Sequence, residues 1–156
     1  MKKITLLLVA LLTFGGILTA QSNKEEMDLM QAAFGIEKKA MVSDFVKVDA
    51  SQKDAFWKLY DEYEVQRKTL GQKRVQLLEK YAANYDKLTI EFADSWSKEV
   101  LDLSKKTDAL LVTYFNKIKK ATNSVVALQF YQVEGYILSG IRLSILEDLP
   151  LPDLKK

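Results

Sequence analysis

The residues of this chain that could do chemistry are few, and they begin with two serine–lysine pairs. A neighbouring lysine can activate a serine hydroxyl as a nucleophile, and Ser97-Lys98 and Ser104-Lys105 supply both residue types. Adjacent residues on a helix point about 100° apart, so neither pair shares a site by itself. A solvated helix surface is therefore the favoured interpretation of both pairs.

Paired carboxylates bind hard cations, and the densest acidic run is Asp61, Glu62 and Glu64. A dedicated calcium loop would space Asp and Asn along a loop and close it with Glu, which is a pattern this sequence lacks. It also lacks a glycine-rich phosphate loop and a nucleophile-elbow pattern. Solvent-facing acids are the favoured interpretation of this run.

The composition removes most of the remaining chemistry. The 156 residues include no His and no Cys, which excludes the commonest general base, thiolate nucleophiles, thiolate metal sites and disulfides. We therefore expect no enzyme activity, no cofactor and no dedicated metal site.

Residues suited to binding another protein are better represented. Trp57 would point about 100° away from Phe56, which lies on an apolar helix stripe. Trp57 then either packs under the N-terminal helix or presents apolar surface to a partner, and flexible methionines such as Met30 fit both interpretations.

Basic residues form two groups in the sequence. They are Arg67, Lys68, Lys73 and Arg74, and further along Lys117, Lys119 and Lys120. Each group is either a solvated face or a local positive patch that would attract acidic unfolded segments or lipid headgroups.

Residues 1–20 have the three parts of a secretory signal peptide: Lys2 and Lys3, an uncharged Leu-rich stretch, and small residues up to Ala20. We expect cleavage there. Removal takes away two bases and no acid, which leaves 21 of each in the mature chain. A chain without surplus positive charge is not expected to bind nucleic acid.

The mature chain, residues 21–156, is predicted to be a single all-α domain, since it shows four apolar series with helical spacing and no strand pattern. Their members are Met27, Met30, Phe34, Met41, Phe45 and Val48; Phe56, Tyr60 or Leu59, Tyr63, Leu70, Leu77, Tyr81, Tyr85 and Leu88; Phe92, Trp96, Val100, Leu103, Leu110, Tyr114 and Ile118; and Val126, Phe130, Val133, Ile137, Ile141 and Ile145. The first series is interrupted near Gly35 and Lys38, which predicts a weaker or broken helix.

Capping residues place the boundaries of the other three helices. The predicted caps are Asp49 or Ser51, then Thr89, then Ser124. Asn123 precedes Ser124 as a left-handed or capping residue, and Pro150 and Pro152 end the last helix. The Glu64–Lys68 spacing, with the acid first, favours an ion pair on a solvated face.

Helices over 51–86 and 90–121 would be about 54 Å and 48 Å long at 1.5 Å per residue. The expected architecture is therefore an extended antiparallel helical hairpin with flanking N- and C-terminal helices. Such a hairpin leaves apolar surface partly uncovered, which favours a coiled-coil-like homodimer or an exposed binding face.

Three segments carry a resemblance to a family. Val48-Asp49-Ala50-Ser51-Gln52 and Leu88-Thr89-Ile90-Glu91-Phe92 each keep part of a Leu-Thr-x-x-Gln motif at a helix start, and Phe130-Tyr131-Gln132-Val133-Glu134 precedes an apolar helix. Over about residues 45–151 the chain resembles the Spy/CpxP-like periplasmic proteins.

The resemblance implies a periplasmic, ATP-independent holdase-type chaperone of the envelope stress response that binds partly unfolded proteins as a dimer. The client contacts that we nominate are Met30, Phe34, Trp57, Arg67 and Arg74. Zinc binding, which some relatives perform through His and Cys, does not carry over. The alternative function is a regulatory module that docks on one membrane-bound stress sensor, such as a sensor kinase, without general chaperone activity.

Overall fold

The computed structural model describes residues 34–152, of which 90% are helical. Four helices and no strand occur in this range, so the all-α prediction is confirmed. They are α1 (34–45), α2 (Lys53–Asn84), α3 (Ile90–Ala121) and α4 (Ser124–Asp148), and the 3-10 turns Ala50–Gln52 and Tyr85–Lys87 flank α2. The predicted signal peptide, residues 1–20, and the nominated contact residue Met30 lie outside the described residues.

One of the three predicted helix caps is present as expected. The Thr89 hydroxyl accepts a hydrogen bond from the backbone N–H of Phe92, at 3.1 Å, and starts α3. The cap of α4 is Asn123 rather than Ser124, because the Asn123 side chain accepts bonds from the backbone N–H groups of the second and third helical residues, Val125 and Val126. An Asx side chain one position earlier reaches both orphan donors at once.

The start of α2 differs from the prediction, since neither Asp49 nor Ser51 caps it. A 3-10 turn leads into the helix without a side-chain cap bond. Gln52, the last residue of that turn, instead donates a hydrogen bond to the Thr122 carbonyl at 3.3 Å. Gln52 therefore ties the beginning of α2 to the end of α3.

The two longest helices form the predicted antiparallel hairpin. Along α2, Gln66 bonds the Tyr114 hydroxyl at 2.7 Å, and the Leu77 carbonyl accepts a bond from the Trp96 indole, also at 2.7 Å. The partner's number on α3 falls as the number on α2 rises, which is the signature of antiparallel packing. At 32 residues each, both helices are about 48 Å long.

The described chain divides into two compact units. One contains residues 34–47 and 132–149, and the other contains residues 48–131 and 150–152, which include the hairpin. The hairpin unit has an aromatic core where α2, α3 and the start of α4 meet. Its fully buried members are Phe56, Tyr60, Tyr63, Tyr114, Ile118, Val126, Ala127 and Phe130.

The other unit, residues 34–47 and 132–149, buries an ion pair among apolar side chains. Lys38 Nζ lies 2.8 Å from Glu134 Oε2, and both side chains are at most 1% exposed. The prediction of a broken first helix near Lys38 is wrong, since α1 runs without interruption over 34–45. Its buried residues are Lys38 and Val42, and Val46, just beyond the helix, is also buried. Pairing with Glu134 allows a lysine to occupy a core position.

Candidate functional site

The structure brings three of the five nominated contact residues onto one helix. Trp57, Arg67 and Arg74 lie on α2, in the hairpin unit. Phe34, the first described residue of α1, is partly buried in the other unit. Arg67 and Arg74 are seven residues apart, so two turns of helix place them on the same face of α2.

Trp57 stands at the edge of the aromatic core rather than within it. Its ring lies 5.0 Å from that of Phe56 and 5.3 Å from that of Tyr60, with both pairs close to perpendicular. Phe56 and Tyr60 are buried, whereas Trp57 is partly exposed. Its position is therefore fixed by edge contacts to rigid neighbours while part of its surface faces outward.

Arg67 is held by a carboxylate one turn away. Its guanidinium donates to both Glu64 oxygens, at 2.9 and 3.1 Å, and the two side chains are only 11% and 13% exposed. The expected Glu64–Lys68 pair on a solvated face is thus replaced by a partly buried Glu64–Arg67 pair. The planar fork of arginine can engage both carboxylate oxygens, which a lysine ammonium cannot do in the same way.

The middle of α2, residues 64–80, has an unusual combination of charge and exposure. Every buried residue of α2 lies outside this segment, at Phe56, Tyr60 and Tyr63 or at Tyr81. Apolar side chains within it are only partly covered. It carries five bases, Arg67, Lys68, Lys73, Arg74 and Lys80, against two acids, Glu64 and Glu79. We call residues 64–80 the α2 middle segment.

A groove of about 370 Å³ lies between the α2 middle segment and α3. It is lined by Lys73, Gln76, Leu77, Lys80, Glu99, Asp102, Leu103 and Lys106. The Lys80–Glu99 and Lys106–Asp102 ion pairs lie along it. This groove was not predicted from the sequence. The spacing of Asp102 and Lys106, four residues apart with the acid first, indicates their ion pair from the sequence alone. The Lys80–Glu99 pair depends instead on how α2 and α3 are aligned in the hairpin.

The charges in this groove set the titration of Asp102. Lys106 donates a 2.6 Å hydrogen bond to the Asp102 carboxylate and lowers the pKa of that carboxyl below its ordinary value. The bond therefore stabilises the fold above the ordinary pKa, and this contribution is lost as the pH falls through the lowered one. Both side chains are more than half exposed, so the contribution to stability is small.

Replacing Lys106 by Met is expected to raise the pKa of Asp102 towards its ordinary value, as measured by NMR titration of the carboxyl carbon. Glu91 provides the internal control, because its own backbone N–H and the Thr89 hydroxyl lower its pKa, without Lys106. An unchanged Asp102 titration in the Lys106→Met variant would contradict the assignment of the shift to this bond.

At the end where α2 connects to α3, the hairpin contacts the segment that follows α4. The hydroxyls of Tyr81 and Tyr85 donate hydrogen bonds to the carbonyls of Pro150 and Leu151, at 2.8 and 3.1 Å. Burial and the neighbouring Tyr85 raise the pKa of Tyr81, so this hydroxyl keeps the proton that it donates. The Trp96 ring packs 4.8 Å from that of Tyr81 and closes this end of the hairpin.

Within residues 34–152, no group of three or more acidic, His or Cys side chains is placed to hold a metal ion. No helix of this range combines the length and apolar character needed to cross a membrane. Comparison of the chain with protein-family models, curated proteins and solved structures gives no match.

Proposed function

We propose that this chain is an exported, non-enzymatic, holdase-type chaperone of the periplasm that binds partly unfolded envelope proteins. The observation that supports the proposal best is the α2 middle segment, which is positively charged and partly apolar and contributes no fully buried residue. The resemblance to Spy/CpxP-like proteins favours the same function and the same compartment.

The mechanism follows from that mixture of charge and apolar surface. Arg74 and its basic neighbours attract acidic segments of an unfolded chain over a distance of several ångströms, and salt weakens that attraction. Short-range contacts to the partly exposed Trp57 and to leucines of the segment then shield apolar side chains of the client. Because an ATP-independent holdase has no nucleotide cycle to drive client release, its affinity for the client must be moderate. Scattered weak contacts of this kind provide such an affinity.

The test is the suppression of aggregation when a urea-denatured enzyme is diluted into buffer with a near-stoichiometric amount of this protein. The Arg67→Gln/Arg74→Gln variant is expected to need several-fold more protein for half-maximal suppression, because it removes two charges from the segment. The Phe34→Ala/Trp57→Ala variant is expected to show a similar loss through its apolar contacts.

The matched control is Lys87→Gln/Lys98→Gln, which removes two exposed bases that belong to neither basic group and should leave suppression unchanged. No suppression by the unmodified protein would overturn the holdase proposal. Unchanged suppression by a test variant would exclude the residues that it replaces. Capture from an envelope extract distinguishes the regulatory alternative, because a sensor-docking module enriches one partner and a chaperone enriches many.

A further inference from the structure

Two tyrosines at the end of α2 hold the segment that follows α4. The Tyr81 hydroxyl donates to the Pro150 carbonyl at 2.8 Å, and the Tyr85 hydroxyl donates to the Leu151 carbonyl at 3.1 Å. The tyrosines are four residues apart, so one helical turn places both donors on the same face. All four residues belong to the hairpin unit. Two successive carbonyls of one segment therefore meet two donors that are one turn apart.

Aromatic packing fixes these donors in place. The Tyr81 ring lies 5.9 Å from that of Tyr85 and 4.8 Å from that of Trp96, and Tyr81 is only 4% exposed. The Trp96 indole is itself held, because its N–H donates to the Leu77 carbonyl at 2.7 Å. Donors that are already positioned lose little conformational freedom when a ligand binds. We call Tyr81, Tyr85 and Trp96 the aromatic clasp.

The aromatic clasp bonds the main chain of the segment rather than its side chains. Pro150, Leu151 and Pro152 are all exposed, and Leu151 is 84% exposed. The tyrosine hydroxyls bond carbonyl oxygens, and every residue type carries a backbone carbonyl. Another segment that follows the same backbone course would therefore present the same acceptors to the clasp.

The prolines explain why these carbonyls are available as acceptors. Proline fixes φ at about −65° and disfavours the helical conformation in the residue before it. Pro150 and Pro152 therefore favour an extended course through Leu151. An extended, proline-containing chain makes no hydrogen bonds within itself, so its carbonyls can accept bonds from a surface. Aromatic surfaces commonly recognise proline-containing segments in this way.

The chain's own segment can be replaced at low cost. None of residues 150–152 is buried, so their release uncovers little apolar surface. A competing segment can form the same two hydrogen bonds with Tyr81 and Tyr85. It must, however, compete with a segment that is tethered to the same chain and is therefore present at a high effective concentration. Residues 150–152 consequently lower the affinity of the clasp for any other segment.

We propose that the aromatic clasp is a binding site for an extended, proline-containing segment of another protein, and that residues 150–152 occupy it as an internal competitor. The chain's own segment shows the chemistry of the ligand, which is two successive backbone carbonyls held extended by neighbouring prolines. The clasp lies outside the α2 middle segment, so the proposal does not rest on holdase activity.

The first test is fluorescence anisotropy of a labelled peptide with the sequence of residues 147–153, titrated with the protein expressed from its full sequence. The Pro150→Gly/Pro152→Gly variant weakens the internal competitor, because glycine removes the restriction on φ. It is expected to bind the peptide several-fold more tightly than the unmodified protein does. Leu151→Ala keeps both prolines and both carbonyls and should bind as the unmodified protein does.

The peptide itself supplies a second comparison. A peptide with alanine at both proline positions should bind the Pro150→Gly/Pro152→Gly variant several-fold more weakly, since its backbone is less preorganised. Equal affinity of the two peptides would overturn the requirement for proline. No binding of the proline peptide to this variant, or equal binding to the variant and the unmodified protein, would overturn the proposal.

Tyr81→Phe/Tyr85→Phe, added to the Pro150→Gly/Pro152→Gly variant, removes both donors and keeps both rings. The dissociation constant for the peptide should rise about tenfold or more, as expected for two lost hydrogen bonds. Tyr131→Phe in the same background is the matched control, because it removes a hydroxyl from a ring of α4 that is 43% exposed, and it should leave the affinity unchanged. Circular dichroism checks that each variant keeps its helices. An unchanged dissociation constant in the double tyrosine variant would overturn the assignment of the donors.

Proton–nitrogen NMR locates the bound peptide independently. The chain has two tryptophans, Trp57 and Trp96, and a Trp57→Phe variant assigns their indole N–H signals. Peptide binding should shift the Trp96 signal, which belongs to the clasp, and leave the Trp57 signal in place. A shift of the Trp57 signal alone would mean that the peptide binds at the proposed client surface. That result would overturn the clasp proposal and leave the holdase proposal standing.

Light scattering distinguishes a partner's segment from the same segment of a second copy. If the clasp of one copy held residues 150–152 of another, an excess of the peptide would lower the measured mass of the protein. A lower mass would overturn the proposal. An unchanged mass, together with a peptide-induced shift of the Trp96 signal, would support it.

Discussion

Replacing Lys38 by Met is expected to lower the free energy of unfolding by about 3–5 kcal/mol, which is the usual effect of removing one partner of a buried ion pair. The Lys38 ammonium lies 2.8 Å from the Glu134 carboxylate, and neither side chain has meaningful contact with water. Without Lys38, the carboxylate would remain buried and would lose its bond to the ammonium group. The measurement is urea unfolding followed by circular dichroism.

The double variant Lys38→Met/Glu134→Leu distinguishes the contribution of the ion pair to stability from that of the surrounding packing. An apolar pair of similar volume often replaces a buried ion pair without loss of stability, so the double variant should recover most of the loss. Lys39→Met, an exposed neighbour on the same helix, is the control and should change stability by less than about 0.5 kcal/mol. A loss in the double variant as large as in the single one would contradict this account of the pair.

Helix positions in this chain were predictable from local chemistry. The bounds of α3, 90–121, agree with the prediction, because Thr89 is a good N-cap and its side chain bonds where such a cap should. The apolar series of α4 also identified its buried face, at Val126, Phe130, Val133 and Ile137. Both follow from the 3.6-residue repeat, which the sequence displays directly.

The buried ion pair could not be predicted in the same way. A lysine inside a helical pattern is normally assigned to solvent, so the sequence predicts an interruption of the first apolar series near Lys38. Its partner Glu134 is 96 positions away, and only the tertiary fold brings the two together. The buried residues of α1 are consequently Lys38 and Val42, while the predicted member Phe45 is 65% exposed.

The candidate binding surface was predicted only in part. The sequence indicated Trp57 beside an aromatic stripe and a basic run around Arg67 and Arg74, and the structure places all three on α2. Local spacing favoured Lys68 as the partner of Glu64, whereas the structure selects Arg67. Arg67 and Lys68 lie three and four residues after Glu64, and both spacings allow an ion pair on a helix, so spacing alone does not decide between them.

Replacing Phe130 by Ala should lower the free energy of unfolding by about 3–5 kcal/mol, the range for removing a buried ring. Phe130 is fully buried, and its ring meets that of Tyr63 edge-on at 5.3 Å. Tyr63 in turn contacts Tyr114 at 5.5 Å, so one ring from α4 closes a core that joins both helices of the hairpin. The loss combines transfer of the ring to water with the cavity that it leaves.

Phe130→Leu should cost less than Phe130→Ala, since it keeps most of the volume but loses the edge-to-face contact. Phe45→Ala is the matched control, because it removes the same side chain from a largely exposed position and should change stability by less than about 0.5 kcal/mol. The measurement is urea unfolding followed by circular dichroism, which reports on the helices of both units, since Phe130 lies in the hairpin unit and Phe45 in the other. Equal stability of the Phe130→Ala and Phe45→Ala variants would mean that Phe130 does not stabilise the aromatic core of the hairpin unit.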